Sequence, residues 1–142
     1  MAMTDAIQLE VLTPERQIIS VQVTELQFPT ITNGYYGILP GHTPVVTPVG
    51  DGLVTYTKDA KKHWVTVFGG FAEVTSERVT ILARVSETVD MIDVGRAESA
   101  RLRALQAASE AKVEHDLDKA QASLRASLIR LSAAGHPGGH GF

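Results

Sequence analysis

The chain has 142 residues, of which 44% are hydrophobic and 20% charged, with no cysteine and a formal net charge of −3. The acidic balance argues against a basic nucleic-acid-binding face, and the lack of cysteine excludes disulfides and thiolate metal sites and favours an intracellular compartment. No apolar run approaches the ~20 residues of a membrane span, so we expect no direct membrane insertion. The length suits one average domain, or two small domains that need a partner.

The first part of the chain, residues 1–90, has the pattern of short β-strands. Between Ile7 and about Val89, apolar residues recur mostly at every second position, and β-branched residues dominate. Turn signals fall at short intervals, among them Asn33-Gly34 and the segment from Lys58 to Lys61. This pattern predicts an antiparallel β-sandwich or barrel.

Two glycine-rich stretches interrupt the strand pattern. In GYYGILPGHTPVV (34–46), the glycines and prolines predict either a complex turn alone or a rigid loop that presents Tyr35, Tyr36 and His42 as a docking surface. In FGGFAEV (68–74), the paired glycines predict a bulge or the close approach of another backbone segment. A buried turn is a sufficient explanation of the second stretch, without a ligand.

Residues 91–134 change to a helical pattern. A face of small alanines and a following stripe of leucines predict two helices, roughly 93–109 and 114–133, packed as an antiparallel hairpin. Their connection contains neither Gly nor Pro, so both a bent and a straightened form are accessible. The glycine-rich end, residues 135–142, is predicted to be a disordered tail.

The boundary between the two parts, SETVDMIDVGRAE (86–98), is either a simple connection between two elements or a small binding site. Asp93 suits the N-cap of the first helix, which is a sufficient structural role. However, Arg96 and Arg103 lie two helical turns apart on one face, and an antiparallel hairpin would bring Arg130 back beside the start of the first helix. Three guanidiniums and two carboxylates could then converge.

Catalytic and metal-binding motifs are absent from the sequence. It contains no nucleophile elbow, no glycine-rich phosphate loop and no H-E-x-x-H pair, so we assign no catalytic residue and no metal ligand. His136 and His140 in the tail form an open pair without supporting ligands. A hydrolase is therefore disfavoured.

Three segments in order, GYYGILPGHTPVVT, GGFAEVTSERVTILA and IDVGRA, resemble the epsilon subunit of bacterial F-type ATP synthases over residues 7–134. The resemblance implies an α+β fold, with an N-terminal antiparallel β-sandwich followed by a C-terminal two-helix antiparallel hairpin. It implies a non-catalytic rotor subunit, at the cytoplasmic face of the bacterial inner membrane, that binds the gamma subunit and the c-subunit ring and couples proton flow to ATP synthesis. The segment with Tyr35, Tyr36 and His42 would contact the c-ring.

The same resemblance implies regulation by the helices. The compact hairpin would permit turnover, whereas the extended hairpin would reach the alpha/beta catalytic head and inhibit ATP hydrolysis. No cofactor is required, but ATP as a regulatory ligand would bind the compact form. Glu87, Ile92 and Asp93 would contact its adenosine, and Arg96, Arg103 and Arg130 its phosphates.

One departure from that motif concerns the second helix. ATP-binding members carry two arginines four residues apart there, whereas Arg125 and Arg130 are five apart and Ala126 occupies the expected place. We therefore predict weak ATP binding or none. The alternative function is a free-standing ATP-sensing module without a rotary partner, which would need a complete arginine set.

Overall fold

The computed structural model describes residues 6–32 and 34–135, and within them eight strands precede two helices. Asn33 of the predicted turn, and residues 136–142 of the predicted tail with both histidines, lie outside the described residues. The strands are β1 (Ile7–Leu12), β2 (Gln17–Val23), β3 (Glu25–Pro29), β4 (Tyr35–Ile38), β5 (Val45–Pro48), β6 (Asp51–Lys58), β7 (Lys61–Val74) and β8 (Arg78–Glu87). A short 3-10 turn (Val89–Met91) leads to α1 (Val94–Glu110) and α2 (Glu114–Gly135).

The strands form one hydrogen-bonded sheet in the order β2-β1-β8-β7-β6-β3-β4, with β5 paired to β7. All its pairs are antiparallel except β1 with β8, which is parallel and departs from the all-antiparallel expectation. The alternation of apolar residues shows which side chains face the core but does not distinguish strand directions. No short turn joins β1 to β8, so nothing local restricts their pairing to the antiparallel form.

The sheet folds over into the two layers of a sandwich at Gly69-Gly70 of β7. Before these glycines, the core-facing residues of β7 are Val65 and Val67, and after them Ala72 and Val74, so the strand changes the parity of its buried face. Gly70 has a φ of +128°, and a Cβ atom there would collide with the carbonyl oxygen of Leu82. The predicted close backbone approach is thus confirmed. The register with β8 continues unshifted, so the paired glycines are not a bulge.

Buried apolar residues from both layers form the core. Every strand except β5 contributes a side chain of at most 4% exposure, and β5 packs the partly buried Val45 against the core. Phe28, the largest fully buried side chain, and Ile81, which is also 0% exposed, are examples. The turn from Lys58 to Lys61 joins β6 to β7 as predicted, with Asp59 and Ala60 at positive φ.

The helical hairpin packs on the outer face of β6 and β7. Leu53 and Trp64 form a second buried cluster with Ala133, against which Ile129 also packs. The Trp64 indole Nε1 donates a hydrogen bond of 2.9 Å to the carbonyl oxygen of Ala133. The helices match the predicted segments to within two residues, and Gly135, predicted to begin the tail, is instead the last residue of α2. None of the described helices is both long and apolar enough to cross a membrane.

Candidate functional site

A cleft of about 440 Å³ lies where the end of β8, the start of α1 and the second half of α2 meet. Its lining combines charged side chains with small residues such as Ala97, Ala100 and Ala126. All the residues predicted for ATP line this one cleft: Glu87, Ile92, Asp93, Arg96, Arg103 and Arg130. The antiparallel hairpin therefore produces the convergence that the sequence suggested.

The first turn of α1 is fixed by Asp93. This residue is the N-cap, and its side chain accepts a hydrogen bond from the Arg96 backbone N–H at 3.0 Å. Capping satisfies one of the free N–H groups of the helix start. The predicted structural role of Asp93 is confirmed, and it leaves the Arg96 side chain at the cleft wall.

Arg130 and Glu87 form an ion pair inside the cleft. The Arg130 Nε lies 2.8 Å from the Glu87 Oε1, and both side chains are partly buried. The Arg130 guanidinium also lies over the Phe68 ring, with Cζ 4.7 Å from the centroid. The pair ties α2 to the end of β8. The resemblance assigned these two residues to separate parts of a ligand, because the sequence does not show how far α2 lies along β8.

The charges of the cleft, taken together, favour an anion. The five charged residues Glu87, Asp93, Arg96, Arg103 and Arg130 give three positive and two negative charges, a formal net charge of +1. Within residues 6–32 and 34–135, neither Arg96 nor Arg103 forms an ion pair. Free guanidiniums at a shared wall suit phosphate oxygens.

The second helix contributes one arginine to the cleft. Ala126 lines the cleft at the position where a further arginine was expected, whereas Arg125 lines a separate groove of about 370 Å³ beside Tyr35 and Leu128. Adjacent helical positions diverge by about 100° around the axis, so Arg125 does not substitute for the missing side chain.

The cleft also contains two serines that were not predicted from the sequence. Ser123 and Ser127 line it from α2, and Ser127 Oγ donates a hydrogen bond of 2.7 Å to the Leu124 carbonyl oxygen. The spacing of 123, 127 and 130 places all three on one helical face, and this spacing could have identified them.

Arg101 lies close to these arginines in sequence but has its own partner. Its Nε donates to Glu98 at 3.1 Å, and this hydrogen bond lowers the pKa of Glu98 and raises the pKa of Arg101. Arg101 is not among the residues that line the cleft.

The segment predicted as a docking loop is divided by the structure. Tyr35 and Tyr36 belong to strand β4 rather than to a loop, so they point to opposite faces. Tyr36 stacks on Phe28 at 5.6 Å and meets His42 edge-on at 5.4 Å between ring centroids. The Tyr35 hydroxyl instead accepts a hydrogen bond from the Leu53 backbone N–H at 3.4 Å. Tyr36 and His42 therefore share a surface that does not include Tyr35.

Among the described residues, no group of three or more histidines, aspartates and glutamates is arranged to hold a metal ion.

Comparisons with known proteins agree over both parts of the chain. The family described as ATP synthase, Delta/Epsilon chain, beta-sandwich domain matches residues 6–89, and the corresponding long alpha-helix domain matches residues 90–135. The ATP synthase epsilon chain of Solibacter usitatus is 39% identical over 93% of this chain and 98% of its own length. That of Herpetosiphon aurantiacus is 41% identical over 90% of this chain and 93% of its own.

A solved structure has the same fold. It is a chain in the cryo-EM structure of the Euglena gracilis mitochondrial ATP synthase, which comprises OSCP, F1 and the c-ring. The TM-score is 0.79 at 23% identity, over 96% of this chain and 85% of that chain.

Proposed function

The chain belongs to the ATP synthase delta/epsilon family, and from this membership we propose that it is a non-catalytic subunit of the rotor's central stalk. The observation that carries the proposal is the match of both family domains, in order, to the sandwich and to the hairpin. In this role the protein couples proton translocation to ATP synthesis and lies peripherally, at the cytoplasmic face of the bacterial inner membrane. Its partners are the gamma subunit and the c-subunit ring.

Co-purification with gamma tests the stalk role. The full-length chain and tagged gamma, each at micromolar concentration, should elute together as a stable complex. A free-standing ATP-sensing module would bind ATP and show no affinity for gamma. Failure of the two proteins to associate would therefore refute the stalk role and favour the alternative.

We propose the contact with the c-ring for the surface formed by Tyr36 and His42. The proposal for Tyr35 is weaker in physical terms, since its hydroxyl is already engaged with Leu53 on the opposite face of β4. Substitution of His42 by Ala should lower the affinity for isolated c-ring, whereas Tyr35→Phe should leave this affinity unchanged. The reverse pattern would contradict the assignment.

The hairpin is proposed to regulate hydrolysis by leaving the sandwich and reaching the alpha/beta catalytic head. Two features support this. Contact with the sandwich rests on a small cluster around Trp64 and on the Arg130–Glu87 pair. The connection between the helices also bends without strain, because its Ala111 has ordinary extended dihedrals, φ −66° and ψ 130°. A change of ψ at a few residues would make the two helices continuous.

ATP is proposed as the ligand that holds the hairpin in its compact position. Arg96, Arg103 and Arg130 would meet the phosphates, while Glu87, Ile92 and Asp93 would contact the adenosine. The nucleotide would have to accommodate or replace the Arg130–Glu87 pair, and this lowers the net free energy that ATP gains on binding. At 100 times its dissociation constant, a ligand specific for the compact form stabilises it by ~2.7 kcal/mol.

Calorimetric titration of ATP into the isolated protein tests this site. Arg103→Ala should abolish any binding heat, and Ala126→Arg should tighten binding by about tenfold, since one more guanidinium would face the phosphates. Arg125→Ala is the matched control, because this side chain lines the other groove. Equal affinities of the wild type and the Ala126→Arg and Arg103→Ala variants would show that ATP does not use this cleft.

A further inference from the structure

A second cavity lies on the other side of α2 from the cleft. It is the groove of about 370 Å³ that contains Arg125, and we call it the side groove. The residues that α2 contributes to it follow each other at helical spacing and form one face: Arg125, Leu128, Ile129 and Ser132. At about 100° for each residue, this face and the face that lines the cleft are about 160° apart around the helix axis. The two cavities are therefore separate, and α2 forms a wall of both.

The sandwich forms the other wall of the side groove. Strands β3, β4 and β6 supply Gln27, Tyr35, Gly52, Leu53 and Thr55. Gln27 and Thr55 are cross-strand partners, so their side chains lie next to each other on one face of the sheet. Because α2 supplies four of the nine lining residues, the side groove exists only while the hairpin lies on the sandwich.

The side groove combines apolar walls with a single charge. Tyr35 and Leu128 are 50% and 48% exposed, so both keep apolar surface that the docked hairpin leaves uncovered. Arg125 is positive, and among the described residues no acidic side chain lines the groove. Within residues 6–32 and 34–135, Arg125 forms no ion pair. A ligand that supplies a negative charge and an apolar body would satisfy both features.

A hydroxyl group adds a second polar contact. Thr55 is only 9% exposed, yet in the described part of the chain its side chain forms no hydrogen bond. Buried hydroxyl groups are ordinarily hydrogen-bonded, so one that lines a cavity without a partner points to a ligand. Gln27 and Ser132 provide further neutral donors beside it.

The charge and the size of the side groove define the class of ligand. A guanidinium binds a carboxylate through two parallel hydrogen bonds, and one positive charge then balances one negative charge. A phosphate monoester carries about −1.5 to −2 charges at pH 7, and the excess would lie unpaired against Leu53 and Leu128. The volume of about 370 Å³ falls within the roughly 300–1,000 Å³ of small-molecule sites. The groove therefore suits a small monocarboxylate with an apolar body.

We propose that the side groove binds a small carboxylate with an apolar body and that this ligand holds the hairpin in its compact position. The carboxylate pairs with Arg125, and the apolar body lies between Tyr35 and Leu128. Only the docked state contains both walls, so the ligand stabilises that state by mass action. The inference goes beyond the proposed function and does not depend on it, because the site requires only the docked hairpin.

Calorimetric titration of octanoate into the full-length protein tests the site. Octanoate has one carboxylate and a flexible apolar chain, and the wild type should bind one molecule per chain. Acetate, which lacks the apolar chain, and 1-octanol, which lacks the charge, should each bind at least about tenfold more weakly. These two comparisons separate the contributions of the charge and of the apolar walls.

Two variants of exposed side chains locate the site. Arg125→Ala should weaken octanoate binding by about tenfold or more, and Leu128→Gln should weaken it by about fivefold. The matched control is Lys119→Ala, which removes another exposed cation of α2 that lines a different groove, and it should leave the affinity unchanged. Equal affinities of the wild type and the Arg125→Ala and Leu128→Gln variants would overturn the inference.

Amide hydrogen exchange connects binding to the hairpin. At ten times its dissociation constant, octanoate should slow exchange in the last turns of α2 by about tenfold, because it lowers the undocked population by that factor. Binding without slower exchange would contradict the proposed effect on the hairpin, and no saturable binding at millimolar octanoate would overturn the whole inference. A wild-type dimer that Leu128→Gln dissociates, without octanoate binding, would assign the groove to a second copy. Failure to bind gamma would refute the stalk role and leave this inference standing.

Discussion

Replacement of Trp64 by Phe should release the hairpin from the sandwich while leaving the sandwich folded. The Trp64 side chain is 5% exposed and donates its indole N–H to the Ala133 carbonyl oxygen at 2.9 Å. An α-helical donor to this carbonyl would be the N–H of residue 137, which is a proline and has none, so within the described residues Trp64 supplies the hydrogen bond. In the docked state of the variant, the carbonyl would be buried without a partner.

Two contributions make up the free-energy cost of docking the hairpin in the Trp64→Phe variant. Leaving a buried carbonyl unsatisfied costs about 2 kcal/mol, and the smaller ring loses about 1 kcal/mol of apolar contact. Water satisfies the carbonyl when the hairpin is undocked, so the whole cost of about 3 kcal/mol acts on docking. At 1.4 kcal/mol for each factor of ten, the undocked population rises by about 100-fold.

Amide hydrogen exchange measures this population directly. Exchange in the last turns of α2 should accelerate by up to about 100-fold, whereas amides of β1 and β8 should keep their protection. Tyr56→Phe is the matched control, since it removes a polar atom from an aromatic of the adjacent strand that packs toward the core. Acceleration of less than threefold in α2, or an equal loss of protection in the core strands, would refute the reasoning.

Three further predictions concern the sandwich and the start of the hairpin. Gly70→Ala should lower the free energy of unfolding in urea by about 3 kcal/mol or more, because φ is +128° and the Leu82 carbonyl leaves no room for a Cβ atom. The control Gly37→Ala has open space around it and should change this free energy by less than about 1 kcal/mol. Asp93→Ala should cost about 1 kcal/mol of thermal stability by removing the N-cap, and Asp93→Asn should restore most of it; equal losses would contradict the capping role. Burial raises the pKa of Tyr56, so the stability that this group contributes is present below pH ~10 and falls above it as the unfolded state ionises. Between pH 8 and pH 11, the free energy of unfolding should therefore fall less for Tyr56→Phe than for the wild type. An equal fall in both proteins would exclude this contribution.

Local patterns in the sequence predicted the two kinds of structure and their order. Apolar residues at every second position match the period of a strand, and the spacing of the leucines and alanines matches the period of a helix. Each pattern was therefore sufficient on its own to identify the type of element. Strand direction was not predictable in this way. The parallel pairing of β1 with β8 depends on the path of all the intervening strands, which no local pattern contains.

The candidate cleft was predictable because helical spacing and an antiparallel hairpin fix which arginines converge. The internal pairing of Arg130 with Glu87 was not, since it depends on how far α2 lies along β8. The division of Tyr35 from Tyr36 follows from strand alternation once both residues are in β4, but the glycines around them predicted a loop.

The proposed roles as stalk subunit and regulator of hydrolysis are tested most directly by one measurement. It is ATP hydrolysis by the isolated catalytic head with gamma, lacking its own epsilon subunit, as this chain is titrated in. We expect a saturable fall in the rate, complete at one chain per complex, with a stronger fall for Trp64→Phe because its hairpin is released more readily. An unchanged rate at micromolar concentrations of the chain would contradict the regulatory role, and the absence of a bound chain in the re-isolated complex would contradict the stalk role as well.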